Sequence, residues 1–476
     1  MSKPEVLQQL TLKSDGRDTT ITLTDASLRV QRPGDKKWSS IEAPLYHVLW
    51  AELQSDDSLE ISMLAKRKKK GSVSLLRLNG HVQEAERPQA TTLVEAIMNA
   101  AYSGVQPRRR LKLLVNPHAG PGKSVSIYNK KIEPLLRAAR CELEMTLTTH
   151  SGHAVEIAKE LDLSKFDAVV TMSGDGLIHE VLNGFAQRED AGIALKTPLA
   201  PIPAGSGNGL AFNLLGLKEG HDVSLAALNA IKGKPMPLDL FSLVQDGKRS
   251  ISFMSQCVGL MAELDLWTEH LRFMGSNRFV YGYVKSIVQR RTCPVKIQIK
   301  VAESDKKAMV HSLEESLKGQ SSGEREEDTV GDAPNGLPPL KYADEDPSKE
   351  EGWITIDKPV CYLYAGQGPF VSRDLMQFPV SQPNDGFVDM VIQERTSRIE
   401  MVKLMDGAEK GAQFWKPIQQ YYKAVAYRVE PLSKASCLSV DGEAFPFEPY
   451  QLEVHPGLGN LLSPYGHFKA DFSIKE

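Results

Sequence analysis

The chain has 476 residues, of which 41% are hydrophobic and 25% are charged, and its formal net charge is −3. These values are ordinary for a globular protein of two or three domains, and the nearly balanced charge gives no case for nucleic acid as the partner. No run of 18 or more apolar residues predicts a membrane span, and the stretch MSKPEVLQQL lacks the apolar core of a secretory signal. The five cysteines stand singly, without zinc-site spacing, which predicts free thiols in a reducing compartment.

Residues 1–105 are predicted to form a small separate domain. The stretches TTITLTDASLRV, SLEISML and SVSLLRL alternate apolar and polar residues as strands do. A helix is predicted to begin at Thr92, with Glu95 three residues later completing a capping box. Several strands closed by one helix is the order of a pleckstrin-homology-like α+β module.

From residue 108 to residue 240, strand-like stretches alternate with helical ones. LKLLVN, FDAVVTMS and LAPIPA are typical of buried strands, whereas VSIYNKKIEPLLRAAR, HAVEIAKEL and LIHEVLNGF have helical periodicity. This alternation predicts a parallel sheet with crossover helices.

A glycine-containing turn follows each of three predicted strands, in LLVNPHAGPGKS, VVTMSGDG and APIPAGSGNGLAFNLLG. Because the carboxyl ends of parallel strands open onto the same edge of a sheet, the three turns are expected to converge on one crevice. Glycine lets backbone N–H groups approach a ligand, and each following helix brings its positive dipole end, so phosphate is the expected ligand. The spacing matches neither Walker A nor G-x-G-x-x-G.

Beyond residue 241 the sequence is mainly strand-like, as in RSISFMSQCVG, WITIDKPVCYLYAGQ and YQLEVHP, which predicts an antiparallel second lobe over 241–476. Residues 303–352 interrupt this lobe with 14 acidic and 6 basic residues. Because few of these residues could join a core, we predict a disordered insertion there. It could be a plain solvated loop or a phosphorylated or partner-binding segment.

The motifs NPHAGPGKS, SGDGLIHEVLNGF and PIPAGSGNGLAFNLLG, in this order, resemble those of the lipid kinase superfamily of diacylglycerol, sphingosine and ceramide kinases. The resemblance covers nearly all of residues 108–470 and is strongest for eukaryotic sphingoid long-chain-base (sphingosine) kinases. It implies an α/β fold with a Rossmann-like parallel-sheet N-lobe at 108–240 and an antiparallel β-sandwich C-lobe at 241–476. It also implies ATP and Mg²⁺ as cofactors and a sphingoid base lipid as the substrate, buried in the C-lobe.

Asp175 lies between Gly174 and Gly176, directly after a predicted strand. A carboxylate that takes the proton of an attacking hydroxyl must approach the γ-phosphate without blocking it, which favours neighbours that lack side chains. The resemblance identifies Asp175 as the catalytic general base. The alternative is an ordinary Asp N-cap of the following helix, and the two roles are compatible.

The resemblance also implies which residues meet the nucleotide. They lie in the glycine turns, after the strand EMTLTT, on the helix that follows Asp175, and in the later stretches LRFMGSNRF and LSVDGEAFPFEP. For Glu180 the alternative is a plain surface position on a helix. The implied nucleotide-binding residues are Asn116, Pro117, His118, Thr148, Thr149, His150, Ser151, Gly152, Glu180, Gly205, Ser206, Gly207, Arg272, Arg278, Asp441, Gly442 and Glu443.

The stretch VGLMAELDLWTEHLRFMGSNRF bears on the choice of lipid. Asp265 and Glu269 are one helical turn apart and share a face. An amine that enters an apolar pocket needs a carboxylate partner, and the resemblance assigns Asp265 to the polar head of the base. The alternative is a surface helix of mixed charge. The implied substrate-binding residues are Ser173, Gly174, Asp175, Gly176, Asp265 and Glu269.

The Asp441-Gly442 pair has two interpretations. It is typical of a hairpin turn, and the resemblance places Asp441 and Glu443 at the nucleotide through Mg²⁺ and its waters. Magnesium prefers oxygen ligands and keeps most of its waters, so few protein carboxylates are expected around it. Asp441 is the candidate metal ligand.

Because its implied substrate resides in bilayers, the enzyme is expected to make peripheral contact with membranes. Basic contacts could come from Lys66–Lys70, Arg108–Arg110 and Lys123, and an apolar stripe from FVYGYVKSIVQ at 279–289. The lysine run could equally be a solvated hairpin tip, and the stripe could be core or pocket wall. The expected location is cytoplasmic, with peripheral association to intracellular membranes or the plasma membrane, and a homodimer is left open.

Together these observations predict ATP-dependent phosphorylation of the primary hydroxyl of sphingosine, sphinganine or phytosphingosine. Three alternatives remain open: a ceramide or diacylglycerol kinase, a catalytically inactive lipid-binding or scaffold protein, and an NAD kinase. Asp265 favours a sphingoid base over diacylglycerol, because diacylglycerol carries no amine.

Overall fold

The computed structural model describes residues 4–34, 40–66, 71–268, 281–284, 292–322, 335–434 and 436–472. The chain divides into two compact units. The first contains residues 1–112, 125–144 and 222–233, and the second contains residues 113–124, 145–221 and 234–476. All the described candidate site residues belong to the second unit.

Among the described residues, the N-terminal part of the first unit contains seven strands and one α-helix. The elements are β1 (Val6–Ser14), β2 (Arg17–Thr24), β3 (Ser27–Gln31), β4 (Ile41–Pro44), β5 (Val48–Leu53), β6 (Ser58–Lys66), β7 (Val73–His81) and α1 (Arg87–Ala101). The antiparallel sheet has the order β4-β3-β2-β1-β7-β6-β5. The predicted order of several strands closed by one helix is thereby confirmed.

The predicted start of α1 is wrong, because the helix begins at Arg87 and not at Thr92. Pro88 occupies the first turn, where its missing N–H costs no helical hydrogen bond. The Thr92 hydroxyl donates to the Pro88 carbonyl oxygen at 3.1 Å inside the helix, so it caps nothing. Leu93 and Ile97 are buried on the apolar face.

The first unit also contains α3 (Glu133–Ala138) and α8 (Val223–Lys232). The Lys232 ammonium donates to the carbonyl oxygens of Val48 and, at 2.9 Å, Ala101, and it lies 4.1 Å from the ring centroid of Tyr102. Burial lowers the pKa of Lys232 to about 7. Helix α8 therefore packs against the N-terminal sheet and α1 within one unit.

The α/β part of the second unit carries the three glycine turns. Its elements and their neighbours along the chain are β8 (Arg110–Val115), α2 (Ser124–Ile127), β9 (Glu142–Leu147), α4 (His153–Glu160), β10 (Ala168–Ser173), α5 (Gly176–Ala186), α6 (Ala191–Ala194), β11 (Leu199–Pro203) and α7 (Gly209–Leu215). A π-helical turn at Tyr128–Ile132 links α2 to α3. Strands β10 and β11 are parallel, with Ser173 opposite Pro203, which confirms the predicted parallel pairing.

Mainly antiparallel strands follow. The elements are β12 (Lys234–Gln245), β13 (Lys248–Ser252), β14 (Ser255–Gly259), α9 (Leu260–Trp267), the helical residues 281–284 (α10), β15 (Val295–Glu303), α11 (Lys306–Ser322), β16 (Trp353–Asp357), β17 (Val360–Gly366), β18 (Phe370–Ser372), β19 (Leu375–Met376), β20 (Val388–Glu394), α12 (Arg398–Lys403), β21 (Gln419–Pro431), β22 (Leu438–Val440), β23 (Glu443–Phe445) and β24 (Tyr450–Ser463).

The larger sheet has the order β23-β22-β14-β17-β20-β21-β24-β11-β10-β8-β9, with β12, β13, β15 and β16 paired alongside this path. Its antiparallel part confirms the predicted β-rich C-lobe. Core residues on these strands include Phe241, Val258, Leu363, Ile392 and Tyr427, each at most 1% exposed. A second cluster joins α9 and α12 to the strands through Met261, Met401 and Tyr421.

The predicted disorder of residues 303–352 is wrong for the described part of that segment. Helix α11 buries Met309 and Val310. Farther along, the Arg428 guanidinium donates to the carbonyl oxygens of Tyr342 (2.8 Å), Ala343 (3.0 Å) and Glu345 (2.8 Å). These contacts could not be predicted from composition, because they join backbone carbonyl groups to a side chain that is distant in the sequence. Residues 323–334 of the predicted insertion lie outside the described residues.

No helix in the described part of the chain is long and apolar enough to span a membrane.

Candidate active site

The second and third glycine turns lie side by side at the ends of β10 and β11. The Ala204 N–H donates to the Ser173 carbonyl oxygen at 2.9 Å, and the Asp175 N–H donates to the Gly207 carbonyl oxygen at 3.2 Å. A Cβ atom on Gly174 would overlap the Gly207 carbonyl oxygen, and one on Gly205 would overlap the backbone of Gly174. Glycine at 174 and 205 is therefore required by the close approach of the two backbones.

The first glycine turn joins the other two. A Cβ atom on Gly120 would lie 2.6 Å from the Ala204 carbonyl oxygen. The Asn116 side-chain amide donates to the Ser173 hydroxyl at 3.4 Å, and its carbonyl oxygen accepts from the His118 N–H at 2.9 Å. The predicted convergence of the three turns is confirmed.

The turn at residues 148–152 belongs to the same sheet edge. The Thr148 N–H donates to the Val115 carbonyl oxygen at 3.0 Å, next to the start of the first glycine turn. The His150 ring stacks on His153 with centroids 4.9 Å apart. Gly152 is the N-cap residue of α4, and its φ of +86° is a conformation that favours glycine.

Glu180 has a definite structural role on α5. One carboxylate oxygen accepts from the Ala154 N–H at 3.0 Å, in the first turn of α4. A negative charge at this position also complements the positive end of the α4 dipole. Glu180 thus fixes the helix that follows the 148–152 turn, and it is not a plain surface residue.

Asp175 is 9% exposed as a residue, and its carboxylate contacts the start of α7. One oxygen accepts from the Gly209 N–H at 2.7 Å, and the other accepts from the Leu210 N–H at 3.2 Å. The side chain makes no capping bond to its own helix, α5, so the alternative interpretation as a side-chain N-cap is wrong. Asp175 therefore links the second glycine turn to the helix that follows the third.

Electrostatic surroundings favour an Asp175 carboxyl that can exchange a proton near neutral pH. Its pKa is raised to about 6, mainly by burial and also by the negative charges of Asp441 and Asp265, against the opposing effect of the Gly209 and Leu210 N–H groups. A group with such a pKa is mostly ionised at pH 7 and can accept a proton there.

Asp265 lies on α9, and its negative charge is one of those that raise the pKa of Asp175. One of its oxygens accepts from the Ser439 hydroxyl at 2.7 Å, and the same oxygen lies 4.0 Å from the position of a Cβ atom on Gly442. The carboxylate is partly exposed. The other predicted groups of this stretch, Glu269, Arg272 and Arg278, lie outside the described residues.

Asp441 and Gly442 form a two-residue hairpin turn between β22 and β23. Both have positive φ, +51° and +87°, as the hairpin interpretation requires. The Asp441 side chain is fully buried.

Five donors surround the Asp441 carboxylate. One oxygen accepts from the Ser252 hydroxyl (2.8 Å) and from the N–H groups of Met254 and Ser255 (both 2.9 Å). The other accepts from the Phe253 N–H at 3.1 Å and from Nδ1 of His179 at 2.8 Å. Such a carboxylate is an anchor for the turn between β13 and β14.

These contacts do not fit the predicted role of Asp441 as a direct Mg²⁺ ligand. A magnesium ion would have to displace hydrogen bonds from a buried and already saturated carboxylate. Among the described residues, no three or more His, Cys, Asp or Glu side chains are grouped so as to hold a metal.

Three residues to which no role was assigned from the sequence organise this site. The His179 imidazole joins α5 to Asp441. The Asn183 amide donates to and accepts from the backbone of Ile251 at 2.8 and 2.9 Å, which joins α5 to β13. The Asn208 side chain bonds both the N–H and the carbonyl oxygen of Gly205. The sequence did offer a signal for His179, because this polar residue lies three positions after Gly176 on the same face of the predicted helix.

Comparisons with known proteins agree with this architecture. Residues 110–243 match the family described as the diacylglycerol kinase catalytic domain, and residues 10–103 match a domain of unknown function, DUF7493. A crystal structure of a Bacillus anthracis protein described as a diacylglycerol kinase superposes with a TM-score of 0.51 at 19% identity, over 75% of this chain and 97% of that one. At this identity the likeness supports the fold alone.

Similar curated proteins are more informative. Sphingoid long chain base kinase 4 of Schizosaccharomyces pombe is 30% identical over 444 residues, which is 92% of this chain and 91% of that protein. Sphingoid long chain base kinase 5 of Saccharomyces cerevisiae is 32% identical, over 79% of this chain and 62% of that protein. Human sphingosine kinase 1 is 29% identical, over 76% of this chain and 92% of that protein. The chain is therefore a lipid kinase and belongs to the sphingoid long-chain-base kinase family.

Proposed function

We propose that the protein transfers the γ-phosphoryl group of ATP to the primary hydroxyl of a sphingoid base, which yields the 1-phosphate. Its relatives are named as kinases of sphingoid long-chain bases, and sphingosine, sphinganine and phytosphingosine are the proposed substrates. The observation that carries the proposal is the buried Asp175 carboxylate, whose pKa is raised to about 6 at the meeting point of the glycine turns.

Asp175 acts as the general base in this proposal. It takes the proton of the lipid hydroxyl as that oxygen forms a bond to the γ-phosphorus, while the bond between the γ-phosphorus and the β–γ bridging oxygen breaks and ADP leaves. The glycine turns bring backbone close to the phosphates, where side chains would prevent approach. A positioned base of this kind contributes about 10²–10⁴-fold to the rate.

The turns at 116–118, 148–152 and 205–207 form the proposed nucleotide cradle. Glu180 supports it indirectly, by holding the first turn of α4 behind residues 148–152. Arg272 and Arg278 are proposed to contact the phosphates.

Asp265 is proposed to bind the amine of the base. Its carboxylate accepts a hydrogen bond from Ser439 in a partly buried position, and its negative charge acts on Asp175. A carboxylate at this position can pair with an ammonium group but not with a neutral lipid head, which gives a physical reason for selecting an amine. Glu269 is proposed to contribute to the same end of the lipid.

Magnesium is proposed to accompany ATP. Since Asp441 does not fit as a direct ligand, no described residue is assigned to hold the ion, and no step of the mechanism depends on one. We also propose that the chain is organised as the regions 1–105, 108–240 and 241–476. The enzyme is proposed to be cytoplasmic and to make peripheral contact with membranes.

A substrate panel tests the proposed function. Purified protein with labelled ATP and Mg²⁺ is assayed against sphinganine, ceramide, diacylglycerol and NAD, and the products are identified by mass spectrometry. We expect sphinganine 1-phosphate as the main product. Equal turnover of ceramide or diacylglycerol would overturn the assignment, and turnover of NAD alone would replace it.

A further inference from the structure

We propose that His179 is a positioning residue. It holds the hairpin of Asp441 and Glu443 against the Gly-Asp-Gly turn and thereby fixes the geometry of the nucleotide site. This inference rests on the proposed function, because it takes the hairpin to face the nucleotide. His179 comes from helix α5, directly after the glycine turn, whereas the hairpin comes 262 residues later in the chain.

Two contacts fix the His179 ring. Nδ1 donates to the Asp441 carboxylate at 2.8 Å, and the ring meets Phe445 edge-on with centroids 6.3 Å apart and planes at 89°. The side chain is only 11% exposed. Asp441 and Phe445 stand on either side of Glu443 in the hairpin, so both contacts bear on the placement of Glu443.

The same face of α5 makes a second contact with the hairpin. Gly176 and His179 are three residues apart, so they lie one above the other on the helix. A Cβ atom on Gly176 would lie 2.8 Å from a carboxylate oxygen of Glu443. The first turn of α5 thus receives the hairpin at two points, and Gly176 leaves the space that Glu443 occupies.

Electrostatics stabilise this contact. Burial alone would lower the pKa of His179, but the hydrogen bond and negative charge of Asp441, together with the charges of Glu443 and Glu180, raise it above its ordinary value. The direction of this shift favours the imidazolium form, whose charge would offset that of Asp441. The other donors to Asp441 in the described part of the chain are a hydroxyl and three backbone N–H groups.

The test compares two substitutions at His179 with a matched control. Asparagine places an amide N–H near the position of Nδ1 and keeps the donor, whereas alanine removes it. The control is His311→Ala, since His311 lies on α11 with a side chain that is 68% exposed. The dissociation constant of ATP is measured directly, with KM for ATP, KM for sphinganine and kcat measured on the same preparations.

We expect His179→Ala to weaken ATP binding by about tenfold, the effect of one buried charge-assisted hydrogen bond, and to raise KM for ATP in parallel. KM for sphinganine should stay within about twofold, and His179→Asn should recover most of the affinity. Thermal unfolding of each variant shows whether it is folded. A folded His179→Ala protein with wild-type ATP affinity would overturn the inference, as would equal losses for the alanine and asparagine variants.

The two hypotheses can fail separately. If the wild-type protein does not phosphorylate sphinganine but His179→Ala still weakens ATP binding, the proposed substrate is wrong and the positioning role stands. If wild-type turnover of sphinganine is normal and ATP affinity is unaffected by His179→Ala, the positioning role is wrong and the proposed function stands.

Discussion

Two buried aspartates in two regions of the second unit have opposite surroundings. Asp175, in the glycine-turn region of residues 173–176 and 203–209, accepts two backbone hydrogen bonds, and its pKa is raised to about 6. Asp441, in the hairpin of residues 438–445, accepts bonds from three backbone N–H groups, a hydroxyl and an imidazole.

This difference in surroundings indicates which of the two carboxylates can accept a proton from a substrate. Burial with few donors disfavours the charged form and makes Asp175 a base near neutral pH. Burial with many donors fixes Asp441 as an acceptor, so its contribution is to hold other elements in place. Both residues are buried aspartates, and the number of donors distinguishes the proposed catalytic role of Asp175 from the supporting role of Asp441.

Removing the charge of the anchor should have the largest effect on stability. Asp441→Asn turns one acceptor oxygen into an N–H₂ group that faces existing donors, so we expect a loss of about 3 kcal/mol in the free energy of unfolding. Asparagine tolerates the φ of +51° at this turn, so the backbone is not strained. Denaturant unfolding measures the change.

A matched control is Asp246→Asn, at an exposed turn residue with φ +48°. Its stability should change by less than about 0.5 kcal/mol. If the Asp441→Asn protein kept wild-type stability but its kinase activity no longer depended on Mg²⁺, Asp441 would be a metal ligand after all.

Asp265→Asn should lower kcat/KM for sphinganine by about 10–100-fold, because the amine loses its charged partner. ATP affinity should change far less, and Ser439 can still donate to the remaining side-chain oxygen. Steady-state kinetics with each substrate varied in turn measure both effects. A variant that loses ATP affinity and keeps its KM for sphinganine would place Asp265 on the nucleotide side.

The activity should fall at acid pH. Because Asp175 must be ionised to accept a proton, and its pKa is about 6, kcat/KM should decrease by about tenfold per pH unit below that value and level off above it. Asp441 and Asp265 are the charged groups that raise this pKa. A profile with no acid limb between pH 5 and 7 would contradict a base with this pKa.

The smallest effect is expected on substitution of Glu180, which holds the first turn of α4. Glu180→Ala removes the acceptor for the Ala154 N–H, so the helix should lose about 1 kcal/mol of stability and KM for ATP should rise a few-fold. Glu180→Gln keeps an acceptor oxygen and should lie close to the wild type. Equal losses in both variants would point to direct contact of the carboxylate with the nucleotide.

The sequence allowed prediction of the site's location from local patterns. Strand-turn-helix alternation fixes where turns fall, and parallel pairing of β10 with β11 brings Gly174 and Gly205 together. The start of α1 was missed because Pro88 is a stronger first-turn signal than Thr92. The order in residues 335–352 was missed because composition does not show that Arg428 satisfies three carbonyl oxygens there.

The roles of individual carboxylates were harder to predict, because they depend on partners far away in sequence. Asp441 meets Ser252 and His179 across 189 and 262 residues. The Asp-Gly dipeptide does predict the hairpin, but only the folded structure shows that the carboxylate is saturated. In the same way, the N-cap pattern at Asp175 is local, while its bonds to Gly209 and Leu210 arise from the packing of two turns.

The contrast between the two aspartates is tested most directly by Asp175→Asn, with ATP binding and sphinganine phosphorylation measured on one preparation. The account predicts that kcat falls by about 10²–10⁴-fold, while the dissociation constant of ATP and the unfolding temperature stay near those of the wild type. Turnover close to the wild-type rate would contradict it, because proton transfer would then not depend on this carboxylate.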